Sequence, residues 1–197
     1  KIKKVAEIIE EYKKKNYKII VVSSAMSGVT NELIKKSKGI SKNFSEAEYD
    51  VLVSSGEQVA CSLIAGRLIH KGFKSRSWLA WQIPILTKGP HKNSKIHLVN
   101  KKKISDYLKE GGIPIITGFQ GANKEGRVTT IGRGGSDASA IVLAKFFKAK
   151  RCVIYTDVEG VYTTDPNKLK KAKKIKIISY EEMLEMASLG AKVMQPV

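Results

Sequence analysis

Short apolar runs rich in β-branched residues alternate along this chain with segments of helical periodicity. The clearest of these runs are KIIVV at 18–22, IPIIT at 113–117 and CVIYT at 152–156. Helical segments lie between them, beginning with the amphipathic stretch KIKKVAEIIEEYKKK at the start of the chain. Continuous apolar strands that alternate with helices are typical of a mostly parallel sheet covered by helices on both faces. The pattern therefore predicts an α/β fold.

Two helix boundaries can be predicted from local signals. The stretch DVLVSSGEQV at 50–59 is interpreted as a strand or a helix end that breaks at Gly56, with a new helix from Ala60 onward. The last helical segment, ISYEEMLEMASLG, is predicted to begin with a capping box. In this box Ser179 is the N-cap residue and Glu182 is its partner three residues later.

The chain is strongly basic, which raises the question of a nucleic-acid partner. Its 197 residues include 36 Lys and Arg against 18 Asp and Glu, a formal net charge of +18. The basic residues are mostly lysines in runs, whereas proteins that read a base sequence rely more on arginine. No aromatic residues interleave the lysine runs to form a stacking platform. A solvated lysine surface is therefore favoured over a nucleic-acid site.

The cysteines and histidines show no metal-ligand spacing. Cys61 and Cys152 stand in apolar contexts and suggest no disulfide framework, as expected for a protein of the reducing cytoplasm. His70, His91 and His97 are scattered and are interpreted as surface residues. No apolar run is long enough to span a membrane, and the first residues do not resemble a signal peptide.

The segment GRGGSD at 132–137, which we call the glycine-rich segment, follows a β-branched run. In an open α/β sheet, ligands bind at the carboxyl ends of the strands. The three glycines would leave backbone N–H groups accessible to an anion, and Ser136 could cap the following helix. Arg133 supplies a planar fork suited to a carboxylate or a phosphate. The segment is therefore either an anion-binding loop or a glycine-rich turn with an ordinary cap.

Several acidic residues also have two interpretations. Glu57 is either a partner of a helix dipole or a carboxylate that holds a substrate ammonium group. Asp157, at the end of a predicted strand, is either a cap or a residue that faces a nucleotide. Asp165 precedes a proline and is typical of a turn.

Taken in order, several motifs resemble those of the aspartate kinases in the amino-acid kinase family. The motifs are VVSSAMSGVTNEL, SSGEQV, GFQGAN, TTIGRGGSDASA, IYTDVEGVYTTDP and SYEEMLEMASLGAKVMQP. The resemblance implies a three-layer α/β/α sandwich on a mostly parallel sheet. It also implies transfer of the γ-phosphoryl group of ATP, with Mg²⁺, to the side-chain carboxylate of L-aspartate. The product would be 4-phospho-L-aspartate, the first intermediate toward lysine, threonine, methionine and diaminopimelate.

The resemblance assigns roles to residues that match the motifs. Glu57 would contact the substrate amino group, Arg133 would grip a substrate carboxylate, and Arg133 and Asp137 would be the catalytic residues. The substrate-binding residues would be Ser24, Thr30, Glu57, Phe119, Arg133, Gly134, Gly135 and Ser136.

A second set of matching residues is implied to bind the nucleotide. These residues are Thr156, Asp157, Tyr162, Asp165 and Lys192. Asn167 stands where the family usually has arginine, so a phosphate contact is not expected from that position.

Residues 1–197 are interpreted as a single, incomplete amino-acid kinase domain. Family members usually begin with a KFGG-type strand and loop, whose lysine stabilises the transferring phosphoryl group, and they continue into regulatory ACT modules. Without that lysine, little or no turnover is expected from this chain alone. The alternatives are an inactive relic of the enzyme, another amino-acid kinase or, less favoured, a basic nucleic-acid-binding protein. An intact family member is expected to form a homo-oligomer and to bind only small-molecule substrates.

Overall fold

The computed structural model describes residues 1–132, 134–156, 160–164 and 169–188. The chain forms two compact units, Lys1–Cys152 and Val153–Val197. None of the described helices is both long enough and apolar enough to cross a membrane.

The helices of the first unit lie in the segments that their sequence patterns indicate. They are α1 (Ile2–Lys14), α2 (Val29–Ile40), α3 (Glu46–His70), α4 (Lys102–Lys109) and α5 (Gly135–Phe146). Helices α3 and α5 begin earlier than predicted.

The strands of the first unit form two sheets. They are β1 (Val21–Ser23), β2 (Ser75–Trp78), β3 (Ile85–Lys88), β4 (Lys95–Val99), β5 (Ile113–Thr117), β6 (Gln120–Ala122) and β7 (Val128–Thr130). The first sheet has the order β1-β5-β2, and both of its pairings are parallel. The second has the order β4-β3-β6-β7, with one parallel and two antiparallel pairings. The antiparallel pairings are possible because short connections join β3 to β4 and β6 to β7.

The central strand β5 lies between two layers of helices, which confirms the expected α/β/α architecture. All five of its residues are buried. Ile113 and Ile115 pack into one core with residues of α1 and α3. Ile116 packs into another with residues of α4 and α5, because successive side chains of a strand point to opposite faces. A continuous apolar run such as IPIIT is what this doubly covered position requires.

Helix α3 continues through Gly56, so the predicted break at that residue is wrong. The helix has 25 residues and buries side chains along its length. A Cβ atom on Gly56 would lie 2.9 Å from Ala25 Cβ and 3.2 Å from Val29 Cγ1. Glycine is present here because the start of α2 approaches the backbone closely, and this packing outweighs the helix propensity that glycine loses.

In the second unit, α6 (Tyr180–Ser188) begins with the predicted capping box. The Ser179 N–H donates to Glu182 Oε2 (2.8 Å), and the Glu182 N–H donates to Ser179 Oγ (3.1 Å). The strand predicted at 151–157 is not formed over its described residues, 151–156, where Val153 and Tyr155 are exposed. An apolar run becomes a strand only where a neighbouring strand completes its hydrogen bonds, and the described strand pairings do not include this run.

Candidate functional site

The carboxyl ends of β1 and β5 meet at one edge of the parallel sheet. Ser23 and Thr117 are paired in register, and the Gly118 N–H donates to the Ser23 carbonyl at 3.0 Å. The segments that follow these strands therefore lie side by side. This is the edge at which ligands bind in open α/β sheets.

Glu57 lies on α3 next to the segment that follows β1. Its side chain is buried, with 2% of the residue exposed. Oε1 accepts a hydrogen bond from the Ala25 N–H at 3.0 Å, whereas Oε2 is buried without a partner among the described residues. Burial raises the pKa of Glu57 to about 7, although the bond from Ala25 opposes the shift. A buried carboxylate with one open oxygen can accept hydrogen bonds from a cation.

The start of α5 packs directly on the segment that follows β5. A Cβ atom on Gly135 would lie 2.7 Å from Phe119 Cδ2, and a Cβ atom on Gly118 would lie 3.0 Å from Ser136 Cβ. Glycine is therefore required at both positions, because the start of α5 and the segment after β5 approach each other too closely for a side chain. The contacts bring the first turn of α5 to the same sheet edge as β1 and β5.

Ser136 is not the N-cap of α5, contrary to the sequence prediction. The N-cap is Gly134, which has a φ of 73° and makes no side-chain cap. The Gly135 N–H donates to the Gly132 carbonyl at 3.0 Å, which closes a tight turn before the helix. Glycine adopts this left-handed conformation readily, so Gly134 can take the N-cap position and the helix begins at Gly135. Ser136 is then inside the helix, where it packs against Gly118.

Phe119 has a left-handed backbone conformation, with a φ of 65°. This conformation is uncommon for a residue with a bulky side chain. Hydrogen bonds hold it on both sides, because the Phe119 N–H donates to Ser139 Oγ (3.0 Å) and its carbonyl accepts from the Ile131 N–H (2.9 Å). Phe119 therefore connects the end of β5, the residue after β7 and the first two turns of α5.

The remaining substrate-side candidates lie at the ends of the same elements. Ser24 is exposed in the segment after β1, and Thr30 is half-buried in the first turn of α2. Asp137 is half-buried in the first turn of α5, where burial raises the pKa of its carboxyl. Arg133 lies outside the described residues.

The nucleotide-side candidates belong to the second unit. Thr156 is exposed, and Tyr162 is half-buried and forms a β-bridge with Lys174. Asp157, Asp165 and Lys192 lie outside the described residues, so their roles stay predictions.

Asp50 is not among the residues predicted from the sequence, and His91, predicted to be a surface residue, is partly buried. Asp50 is fully buried, and its Oδ2 lies 2.7 Å from His91 Nδ1, whose side chain is only 23% exposed. His91 is therefore not simply a surface residue, whereas His70 and His97 are exposed as predicted. Asp50 precedes Glu57 by seven residues, a spacing that places both on one face of a helix. The predicted break at Gly56 concealed this relation.

Comparison with known proteins shows which family the chain resembles in sequence and fold. The amino acid kinase family matches the chain over residues 1–197. The aspartokinase of Rickettsia felis is 51% identical over 100% of this chain and 50% of that protein. The aspartokinase of Geobacillus stearothermophilus is 49% identical over 96% of this chain and 46% of that protein. The chain thus spans about half the length of the curated relatives that it matches.

Solved structures agree with the sequence relatives. Escherichia coli aspartokinase III in complex with aspartate and ADP, in its R-state, superposes with a TM-score of 0.86 at 27% identity, over 99% of this chain and 54% of that one. The aspartate kinase of Synechocystis superposes with a TM-score of 0.83 at 38% identity, over 99% of this chain and 32% of that one.

Proposed function

The chain belongs to the amino acid kinase family, and we propose that it provides the substrate-binding part of an aspartate kinase. The proposed reaction transfers the γ-phosphoryl group of ATP to the side-chain carboxylate of L-aspartate and gives 4-phospho-L-aspartate and ADP. Both the aspartokinase relatives and the aspartate and ADP bound to the E. coli structure support this choice of substrates.

The observation that carries the proposal is the open oxygen of Glu57. A buried carboxylate is costly unless it is paired, yet Glu57 Oε2 has no partner among the described residues. An ammonium group at this position would satisfy that oxygen and stabilise the ionised form of Glu57. L-Aspartate carries such an ammonium group together with two carboxylates.

The glycine-rich segment is suited to the carboxylates of the same substrate. It leads into the N-terminus of α5, where backbone N–H groups and the helix dipole favour an anion. We assign Arg133 to a bidentate contact with a substrate carboxylate and place Ser24, Thr30, Phe119, Gly134, Gly135 and Ser136 around the substrate. Asp137 would complete the site at the first turn of α5.

The acceptor carboxylate of aspartate needs no general base, because it is already ionised at neutral pH. Catalysis of phosphoryl transfer depends instead on positioning and on neutralisation of charge. In this proposal the chain orients the acceptor: Glu57 holds the ammonium group, and the glycine-rich segment, with Arg133, holds a carboxylate. The side-chain carboxylate is then left as the phosphoryl acceptor.

ATP is the proposed phosphoryl donor, with Thr156, Asp157, Tyr162, Asp165 and Lys192 on its side of the reaction. Mg²⁺ would accompany ATP, as it usually binds phosphate oxygens together with one or two carboxylates. The described residues contain no group of three or more His, Cys, Asp or Glu side chains that could hold a metal ion by themselves. They therefore do not provide a preformed metal site, and the roles proposed for them involve no metal.

We further propose that the protein acts in the cytoplasm and, as an intact enzyme, forms a homo-oligomer. Cys61 and Cys152 are both free thiols, as expected in a reducing compartment.

The test is ATP-dependent trapping of an acyl phosphate with hydroxylamine. Formation of the hydroxamate with L-aspartate, but not with L-glutamate or N-acetyl-L-glutamate, would support the proposal over the other amino-acid kinases. Binding of ATP and L-aspartate with little or no hydroxamate would agree with the low turnover expected from this chain alone and would support the assignment of the site. No binding of L-aspartate at all would contradict the assignment of the site.

A further inference from the structure

Asp50 is a second buried carboxylate on α3, but its surroundings differ from those of Glu57. Both oxygens accept from the Lys92 N–H at 3.1 Å, and Oδ1 also accepts from Thr130 Oγ1 at 2.6 Å. His91 Nδ1 lies 2.7 Å from Oδ2 and completes the set of donors. Asp50 is fully satisfied by protein groups, so it has no oxygen left for a substrate.

These bonds join three segments that are distant in the sequence. Asp50 belongs to α3, His91 and Lys92 belong to the connection between β3 and β4 (residues 89–94), and Thr130 ends β7. The connection is also tied to β7 directly, because the Ser94 N–H donates to the Thr130 carbonyl at 2.9 Å. Asp50 is therefore a buried point at which the connection and the end of β7 are held to α3, and at the surface Lys92 Nζ also donates to Glu46 Oε1 of α3 at 3.1 Å.

The same connection lies against the beginning of the glycine-rich segment. A Cβ atom on Gly132 would lie 3.0 Å from the Lys92 carbonyl oxygen and 3.0 Å from Asn93 Oδ1. Gly132 follows Thr130 by only two residues. A displacement at Asp50 would thus be transmitted to Gly132 through both Thr130 and Lys92.

Helix α3 links this network to the other half of the substrate site. Asp50 and Glu57 are seven residues apart on α3, which corresponds to about two turns and about 10 Å along the axis. The two side chains extend from the same face of one rigid helix. Glu57 is proposed to hold the substrate ammonium group, and Asp50 holds the strand that leads to the proposed carboxylate site.

We propose that Asp50 is a positioning residue that sets the distance between the ammonium and carboxylate sites of the amino-acid substrate, acting through His91, Lys92 and Thr130. The inference rests on the proposed function for the identity of the substrate. Asp50 does not touch the substrate. Loosening the network moves the glycine-rich segment relative to Glu57, so it weakens L-aspartate binding without affecting the binding of ATP.

Two matched pairs of variants test the proposal. They change the donors to Asp50 and leave Asp50 itself in place. Thr130→Val removes the hydroxyl donor and keeps the shape of the side chain, whereas Thr130→Ser keeps the donor. His91→Ala removes the ring nitrogen, whereas His91→Asn restores an N–H group at a similar position. The affinities of all four variants for L-aspartate and for ATP are measured by calorimetry.

Thr130→Val and His91→Ala are expected to weaken L-aspartate binding about tenfold, the size of one lost hydrogen bond to a charged group. Thr130→Ser and His91→Asn are expected to stay within about threefold of the wild type, and ATP affinity is expected to be unchanged throughout. Unchanged L-aspartate binding in Thr130→Val and His91→Ala would overturn the proposal. An equal loss of affinity for both ligands would also overturn it, since that result indicates a general structural role.

Amide hydrogen exchange separates this inference from the proposed function. Exchange at Gly132, Gly134 and Gly135 is expected to be faster in Thr130→Val than in Thr130→Ser, with no change in α1. This result is expected even if the wild-type chain fails to bind L-aspartate, an outcome that would contradict the proposed function alone. Equal exchange at these glycines in the two variants would overturn the positioning role.

Discussion

Glu57 keeps a proton at a pH at which an exposed glutamate has lost it. Burial raises its pKa from the usual 4.5 to about 7. Because the folded state binds this proton more tightly than the unfolded state, the stability contributed by Glu57 is present below about pH 4.5 and is lost as the pH rises through about 7. A shift of this size corresponds to about 3 kcal/mol. The site therefore lowers the stability of the free protein at neutral pH and above.

Replacing Glu57 by glutamine should remove this dependence. A glutamine keeps the size of the side chain and an oxygen that can accept from the Ala25 N–H. We expect the free energy of unfolding of the wild type to fall by about 3 kcal/mol more than that of Glu57→Gln between about pH 5 and about pH 8. Urea denaturation at the two pH values measures the difference. An identical change in the two proteins would show that Glu57 is not the buried group described here.

At the scale of the elements, α3 organises the substrate side of the first unit. It packs against α1 and β5 in the core, and it carries both Asp50 and Glu57. Its two interior glycines differ sharply in their surroundings. Gly56 is buried against Ala25, whereas a Cβ atom on Gly66 would meet nothing within 4 Å.

These two glycines form a matched pair for mutation to alanine. Both changes should gain up to about 1 kcal/mol of helix propensity. Gly66→Ala should therefore stabilise the protein, whereas Gly56→Ala should lose about 1–3 kcal/mol to overpacking against Ala25 and Val29. Gly56→Ala should also weaken L-aspartate binding, because it displaces Ala25, whose N–H group donates to Glu57 Oε1.

Thermal denaturation and calorimetry measure the two effects. Equal stabilisation by both substitutions would mean that α2 does not approach α3 as closely as the structure shows.

Local patterns in the sequence predicted the elements that depend only on adjacent residues or on burial by apolar side chains of any kind. The apolar run IPIIT predicts a strand that is covered on both faces. The capping box at Ser179 requires only four consecutive residues. Longer-range features could not be predicted in this way. The helix passes through Gly56 because α2 approaches it, and CVIYT at 152–156 is not a strand because the described strand pairings do not include it.

The candidate site shows the same limit. Glu57 and the glycine-rich segment are candidates because the motifs that contain them, taken in order, resemble those of the aspartate kinases. Asp50 could not be identified from the sequence, because its partners are 41 and 80 residues away. Ser136 resembles an N-cap by residue type, but the N-cap is the left-handed Gly134, two residues earlier.

At the scale of the whole molecule, the excess of basic over acidic residues attracts polyanions through charge alone. The net charge of +18 comes mostly from lysine, a residue that contacts phosphates without reading a base sequence. We expect any binding to duplex DNA to be independent of sequence and to weaken about a thousandfold between about 50 and about 200 mM salt. Fluorescence anisotropy with two unrelated duplexes measures this. Tight binding to one duplex that persists at the higher salt concentration would favour the nucleic-acid interpretation of the lysine runs.

The central claim is that Glu57 binds the ammonium group of L-aspartate at the sheet edge formed by β1 and β5. Calorimetric titration of L-aspartate into the chain and its Glu57→Gln variant tests it most directly. The ionised form of Glu57 is needed, so the wild type should bind more tightly at about pH 8 than at about pH 6, by up to about tenfold. The variant should bind weakly and equally at both pH values. No binding to the wild type, or equal binding to both proteins at about pH 8, would contradict the claim.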